Sequence, residues 1–277
     1  MHDSMGPKPD LRVGAEEAEA FIILPGRLDC GVLVLCDHAV SAFPPEYGTL
    51  GLAAPETLRH IAYDVGAAGV ARRLAAALEA PAVLTRFSRL LIDCNRGLDD
   101  PTLVMRLSDG VVVPSNRDLD SAEHEKRIAR FYEPYHRAID RVIDMASTSG
   151  VTPALVSMHS YTPLWRGCAR PWHAGVLWDK DPRLALPLLQ ALSAERGLVI
   201  GDNEPYSGRL KGDSLWRHGT MRGLAHAIVE IRQDLIGDER GQEEWGDRLA
   251  GALGRLLADA DLAHDLGHVR HYGSHAD

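Results

Sequence analysis

The sequence predicts an α/β fold in a single domain of 277 residues, with a mixed, largely parallel sheet held between layers of helix. Three observations carry that expectation. Short apolar runs take turns with longer amphipathic stretches, the pattern of alternating strands and helices. Several of the short runs are apolar at both alternating positions, which a strand covered on both faces requires. Hydrophobic residues make up 45% of the chain and charged residues 25%, the balance of a protein with a real core.

The first eighteen residues are polar and bear Gly and Pro, so they are expected to lie at the periphery. From Phe21 the alternation begins. Strands are expected at Gly31–Cys36, Ala82–Thr85, Arg89–Cys94, Ala154–Met158, Gly175–Trp178, Leu198–Ile200 and Ala227–Arg232. The first long helix is expected over Pro55–Leu78, rich in Ala, Leu and Arg, with Pro55 suited to a helix start. A second spans Asp120–Ser147. Asp120 is its acidic N-cap, and Ile128, Phe131, Tyr135, Ile139 and Val142 recur every three or four residues, with a kink at Pro134. Pro182–Ala194 and Glu243–Ala260 complete the set. The His-bearing end, 264–277, shows no regular ligand spacing and is expected to be a peripheral tail. No repeat or heptad run interrupts the pattern.

A formal net charge of −9 argues against a general nucleic-acid or anionic-membrane surface. A small anionic substrate stays open, because a pocket needs only a few local arginines. Cys30, Cys36, Cys94 and Cys168 are widely spaced and form no C-x-x-C pair. The chain shows no secretory h-region and no apolar run long enough to span a bilayer, so a cytoplasmic protein is expected. Oligomeric state is not legible in the sequence.

In open α/β sheets ligands collect beyond the carboxyl ends of strands, so the residues that follow each expected strand are the candidates for chemistry. Asp37–His38 follow the first. Asn95–Arg96 follow Arg89–Cys94, and His159–Ser160 follow Ala154–Met158. Two imidazoles and one carboxylate suit a catalytic zinc site with a position left for water. His38 and His159 are the imidazole candidates. For the carboxylate Asp64, Glu46 and Asp37 compete, and Asp64 is also explained as an ordinary carboxylate in the first turn of a helix.

Glu230 interrupts the apolar run Ala227–Ile231, where a carboxylate is costly unless paired or used. Its expected role is general base near a metal-bound water, with Glu204 next in line; the competing role is a buried ion pair with Arg232. Arg96 offers a planar fork matched to a carboxylate. Arg89, Arg209 and Lys211 are further cationic candidates, Arg209, Lys211 and Arg232 are those available to prefer an acidic side chain, and Tyr206 or Arg89 is the candidate oxyanion stabiliser. Ser160 and Cys94 lack the surrounding signatures of nucleophiles.

These motifs resemble one family. Ser88–Gly97 (SRLLIDCNRG) resembles the S-R-x-x-I-D-x-N-R signature of N-formylglutamate amidohydrolases. The strand ending at His38 and followed by Pro44–Pro45, Asp64 in YDVGA, Tyr132-x-x-Tyr135-His136, His159–Ser160, and Arg217-His218-Gly219 leading into Val229–Arg232 fall in the same order as in that family. The resemblance runs from about Gly31 to Ile236. It implies a fold like that of zinc carboxypeptidases and aspartoacylase-like enzymes, and hydrolysis of a small anionic N-acyl amino acid. It also implies zinc on His38, His159 and Asp64, Glu230 as base, and Asn95 with Arg96 on the substrate carboxylate. Zinc carboxypeptidases carry an acidic ligand three residues after their first histidine; here that position is Ser41. A carboxypeptidase-type peptidase or deacylase, and a non-catalytic binding protein, are the rival readings.

Overall fold

The computed structural model describes residues 17–276, so the expectation for residues 1–16 lies outside the described residues. Seven strands form the main sheet: β1 (Phe21–Leu24), β2 (Val32–Cys36), β3 (Ala82–Thr85), β4 (Ala154–Tyr161), β5 (Ala174–Leu177), β6 (Ile200–Asp202) and β7 (His226–Arg232), in the order β1-β3-β2-β4-β7-β5-β6. The central strands β3, β2, β4 and β7 run parallel. At one edge β1 is antiparallel to β3; at the other β5 is antiparallel to β7, and β6 follows β5 in parallel.

The helices are α1 (Ala67–Ala77), α2 (Pro114–Arg117), α3 (Ser121–Arg127), α4 (Glu133–Thr148), α5 (Pro182–Ser193), α6 (Glu239–Ala258) and α7 (Ala260–Leu266). Helices α1, α5 and α6 cover one face, where Val70, Leu188 and Leu249 join the core with Val34, Val156 and Val229. Helix α4 and the segment around Leu90–Cys94 cover the other, with Ile139, Leu90 and Ile92 joining Leu33, Leu155 and Ile228. The three-layer, mostly parallel α/β architecture is therefore the one expected.

Several elements differ from expectation. Arg89–Cys94 is not a strand. Leu90, Leu91, Ile92 and Cys94 are fully buried, but the chain turns here, with Leu91 N–H donating to Ser88 O and Arg96 N–H to Asp93 O. Those side chains fill the space between α4 and the sheet, and a continuous apolar run reports burial rather than strand geometry. The remaining strand is β1, a half-buried edge. Pro55–Leu78 yields only a 3-10 turn at Glu56–Leu58 and then α1. Gly66 sits at φ +80°, and a Cβ there would come within 2.1 Å of the Ile236 carbonyl oxygen, so the chain turns sharply at glycine before the helix starts. Asp64 accordingly sits in that turn, ahead of the helix.

Asp120 does cap a helix, accepting from Glu123 N–H at 2.8 Å. The passage from α3 into α4 is a π-turn at Ile128–Tyr132, and Pro134 follows it as the second residue of α4. The strand expected at Leu198–Ile200 is displaced to Ile200–Asp202. The C-terminal segment is fastened rather than frayed: Ser274 Oγ donates to Asp179 at 2.6 Å and His275 N–H at 2.9 Å. Among the described residues no helix is long and apolar enough to cross a membrane, and all four cysteines are free.

Candidate active site

The site arises where one face of the sheet changes character. Side chains two apart on a strand share a face. On the α4 side, β2 runs Leu33, Leu35 and then Asp37; β4 runs Leu155, Ser157, His159 and Tyr161; β7 runs Ile228 and then Glu230. Apolar residues thus give way to polar ones toward the carboxyl ends of three adjacent strands. The β4–β7 register sets Glu230 directly beside His159.

His38 follows β2, and its carbonyl accepts from Asp64 N–H at 3.0 Å, drawing the Asp64 turn over the strand ends. Nδ1 of both histidines then faces one oxygen, Asp64 Oδ2, at 3.2 Å from His38 and 2.8 Å from His159. Each Nε2 is held by a different buried carboxylate. His38 Nε2 lies 2.7 Å from Asp93 Oδ1, and His159 Nε2 lies 3.1 Å from Asp37 Oδ2. Asp93 is gripped by Arg89 Nε and Nη2 at 3.0 and 2.6 Å. Asp37 accepts from Tyr135 OH, Ser157 Oγ and Ser214 Oγ at 2.9, 2.7 and 2.5 Å. His38, Asp64 and His159 offer ligand atoms that all lie within 4.8 Å of one another.

Burial is the largest influence on each ionisable group here, and the neighbours decide the outcome. For Asp37 it acts upward, but the hydrogen bond and charge of His159 and the charge of His38 overcome it, leaving the carboxyl well below the usual range. Asp64 is lowered in the same way against burial, by the charge of His38 and the hydrogen bonds of both histidines. Desolvation acts downward on His159, yet hydrogen bonds to Asp37 and Asp64 hold it well above its ordinary value. Glu230 differs. Among the described residues it forms no ion pair, Oε2 makes no hydrogen bond, and burial, reinforced by the charge of Asp64, outweighs the charges of His159, His38 and Arg89 and pushes it up to about 7. A carboxylate poised near neutrality beside two histidines has the protonation behaviour of a general base.

The other expected residues are distributed as follows. Asn95 Oδ1 accepts from Ser214 N–H at 3.0 Å, leaving its amide nitrogen for a ligand. Arg96 Nε is buried without a partner. Arg89 is spent on Asp93, with Nη1 3.5 Å from Asp64. The Tyr206 hydroxyl accepts from Arg170 Nη1 at 3.1 Å. Arg232 is tied to Asp234 and to the carbonyl oxygens of Arg170 and Trp172. Arg209 is 57% exposed, 3.9 Å from Asp179. Lys211 lies 5.9 Å from the Trp216 ring, and Glu46 pairs with Arg130 at the surface. Glu204 is exposed. Sequence reasoning missed Asp93 as the partner of His38, although it stands inside the quoted I-D-x-N-R signature. It also missed Ser214 and Arg170, whose positions only the folded chain reveals, and the contact of Tyr135 with Asp37, although Tyr135 stands in a quoted motif.

An open α/β sheet thus brings an acid-supported His–Asp–His cluster and a near-neutral glutamate together at its strand ends. The sequence pattern of the N-formylglutamate amidohydrolase family matches residues 30–237. The chain belongs to that family and is an amidohydrolase. A gene product of Agrobacterium tumefaciens is 34% identical and superposes with a TM-score of 0.82, covering 88% of this chain and 97% of its own. An N-formylglutamate amidohydrolase from Ralstonia eutropha is 22% identical with a TM-score of 0.63, covering 87% of this chain and 97% of its own, and shares the fold. No curated protein matches the chain in sequence.

Proposed function

We propose that the chain hydrolyses a small anionic N-acyl amino acid of the N-formylglutamate kind with one zinc ion. The observation that carries this reading is the convergence of two imidazole Nδ1 atoms on one Asp64 oxygen, each ring braced at Nε2 by its own buried aspartate. Carboxylate-backed imidazoles are the usual support of metal-ligating histidines. The charge of the donor set fits as well. Asp37, Asp64 and Asp93 carry three negative charges and Arg89 one positive, leaving two to be balanced by imidazolium protons or by one divalent cation.

In this reading His38, His159 and Asp64 hold the ion, which when bound supplies Lewis-acid polarisation of water and of the scissile carbonyl. Glu230 accepts the proton of the attacking water at its unpaired Oε2 side and returns it to the leaving amine nitrogen. Asn95 and Arg96 hold the α-carboxylate common to every N-acyl amino acid, through the Asn95 amide and the Arg96 guanidinium. Arg89 and Asp93 orient His38; Tyr135, Ser157 and Ser214 fix Asp37, which orients His159. Tyr206, at the rim, is the remaining candidate for the oxyanion.

The test is release of the free amino acid from a panel of N-formyl and N-acetyl amino acids, with and without a chelator. Hydrolysis abolished by the chelator and restored by zinc is expected. Hydrolysis indifferent to the chelator would overturn the metal, and no hydrolysis of any member would overturn the substrate class.

A further inference from the structure

Beside the cluster lies a cation of unusual environment. Arg170 is only 9% exposed, yet among the described residues no carboxylate lies within ion-pair distance of it. Nη1 donates to the Tyr206 hydroxyl at 3.1 Å and reaches the Thr162 carbonyl at 3.4 Å. The guanidinium carbon lies 5.0, 5.2 and 5.4 Å from the ring centroids of Tyr206, Trp165 and Tyr161. Aromatic faces offset part of the cost of desolvating a guanidinium, but they leave its charge unneutralised. Nε and Nη2 have no acceptor among the described residues.

The fold sets this charge at the mouth of the site. Tyr161 lies on the same face of β4 as His159, one pleat farther out. Gly175 of β5 pairs with Glu230, and a Cβ there would stand 1.8 Å from the Glu204 carbonyl oxygen. Because the position is glycine, the loop carrying Tyr206 lies directly against the strand next to Glu230. Burial raises both phenols, and the charge of Glu230 adds to it in each. The other cations considered for a second anionic group are engaged elsewhere or exposed: Arg232 with Asp234, Arg209 near Asp179, Lys211 over Trp216.

We propose that Arg170 is the specificity-determining residue for an acidic substrate side chain, pairing with the side-chain carboxylate while Asn95 and Arg96 hold the α-carboxylate. This rests on the reading of the chain as an N-acyl amino acid hydrolase. The three surrounding rings restrict the rotamers of the planar guanidinium, so little order is lost when the anion arrives.

The test compares kcat/KM for N-formylglutamate and its isosteric amide, N-formylglutamine, in the wild type, Arg170→Gln and Arg170→Lys. The wild type is expected to prefer the acid by at least about tenfold, the effect of one charge-assisted pair. In Arg170→Gln the ratio should fall to near one, and in Arg170→Lys it should be intermediate, since charge persists without the planar fork. A wild type that hydrolyses both equally, or a preference that survives in Arg170→Gln, would overturn the proposal while leaving the hydrolase reading intact. If Arg170→Gln does not fold, the wild-type ratio and the Lys variant still decide. A wild type inactive on both compounds overturns the hydrolase reading, and the assignment of Arg170 with it.

Discussion

Replacing Glu230 with glutamine should trade activity for stability, in amounts set by its surroundings. The carboxyl is pushed from an ordinary 4.5 up to about 7, chiefly by burial. That interval corresponds to about 3 kcal/mol against the charged form. The folded protein therefore holds this proton more tightly than the unfolded chain does. The cost is absent below the unfolded value, grows as pH rises through the window from 4.5 to about 7, and is complete above it. Glutamine keeps the shape and carries no charge, so it escapes the cost. In urea unfolding of metal-free protein, Glu230→Gln should match the wild type near pH 4 and exceed it near pH 8. Turnover should fall by about a hundredfold or more, because the amide cannot take the water proton. Near-normal turnover, or a stability difference that does not grow between those pH values, would refute the assignment.

Other consequences are open to direct measurement. The kcat/KM of the wild type should decline as pH falls through the Glu230 pKa, with the midpoint at or below about 7, since a bound cation favours the carboxylate; an acid limb with the same midpoint in Glu230→Asp and Glu230→Gln would assign it to another group. Asp93→Asn leaves His38 without its carboxylate and should weaken zinc binding by about 10–100-fold in a competition titration; unchanged affinity would remove Asp93 from the support of His38. Arg96→Ala should cut kcat/KM by about a hundredfold for every N-acyl amino acid alike, and a loss confined to acidic ones would make it a side-chain reader instead. Gly66→Ala places a Cβ 2.1 Å from the Ile236 carbonyl oxygen at a φ of +80°, so it should destabilise the fold by several kcal/mol, on the order of other strained backbone substitutions. An unchanged urea midpoint would show that the turn before α1 tolerates a side chain.

The elements read most easily from sequence were those whose period and length agree. β2, β4 and β7 are apolar on both faces, and their polar ends mark His38, His159 and Glu230 in the sequence itself. Arg89–Cys94 misled because its burial comes from packing under α4, and a run of apolar residues does not say whether hydrogen bonds run along a ladder or close turns. The edge strand β1 was missed for the opposite reason, being short and only half buried. Asp64 is marked by its motif, yet its place in the turn at Gly66 depends on Ile236, 170 residues beyond that glycine. The aspartates behind each imidazole, and the cage around Arg170, join residues from distant segments, and local pattern carries no trace of such pairings.

Metal content bears most directly on the central claim. Purified wild-type protein, loaded with zinc and desalted, should retain one ion per chain by elemental analysis, while Asp64→Ala and His159→Ala, with circular dichroism showing the fold intact, should retain far less. Anomalous scattering at the zinc edge should place that ion against His38 Nδ1, His159 Nδ1 and Asp64. Equal retention in the variants, or an ion located away from these three side chains, would contradict it.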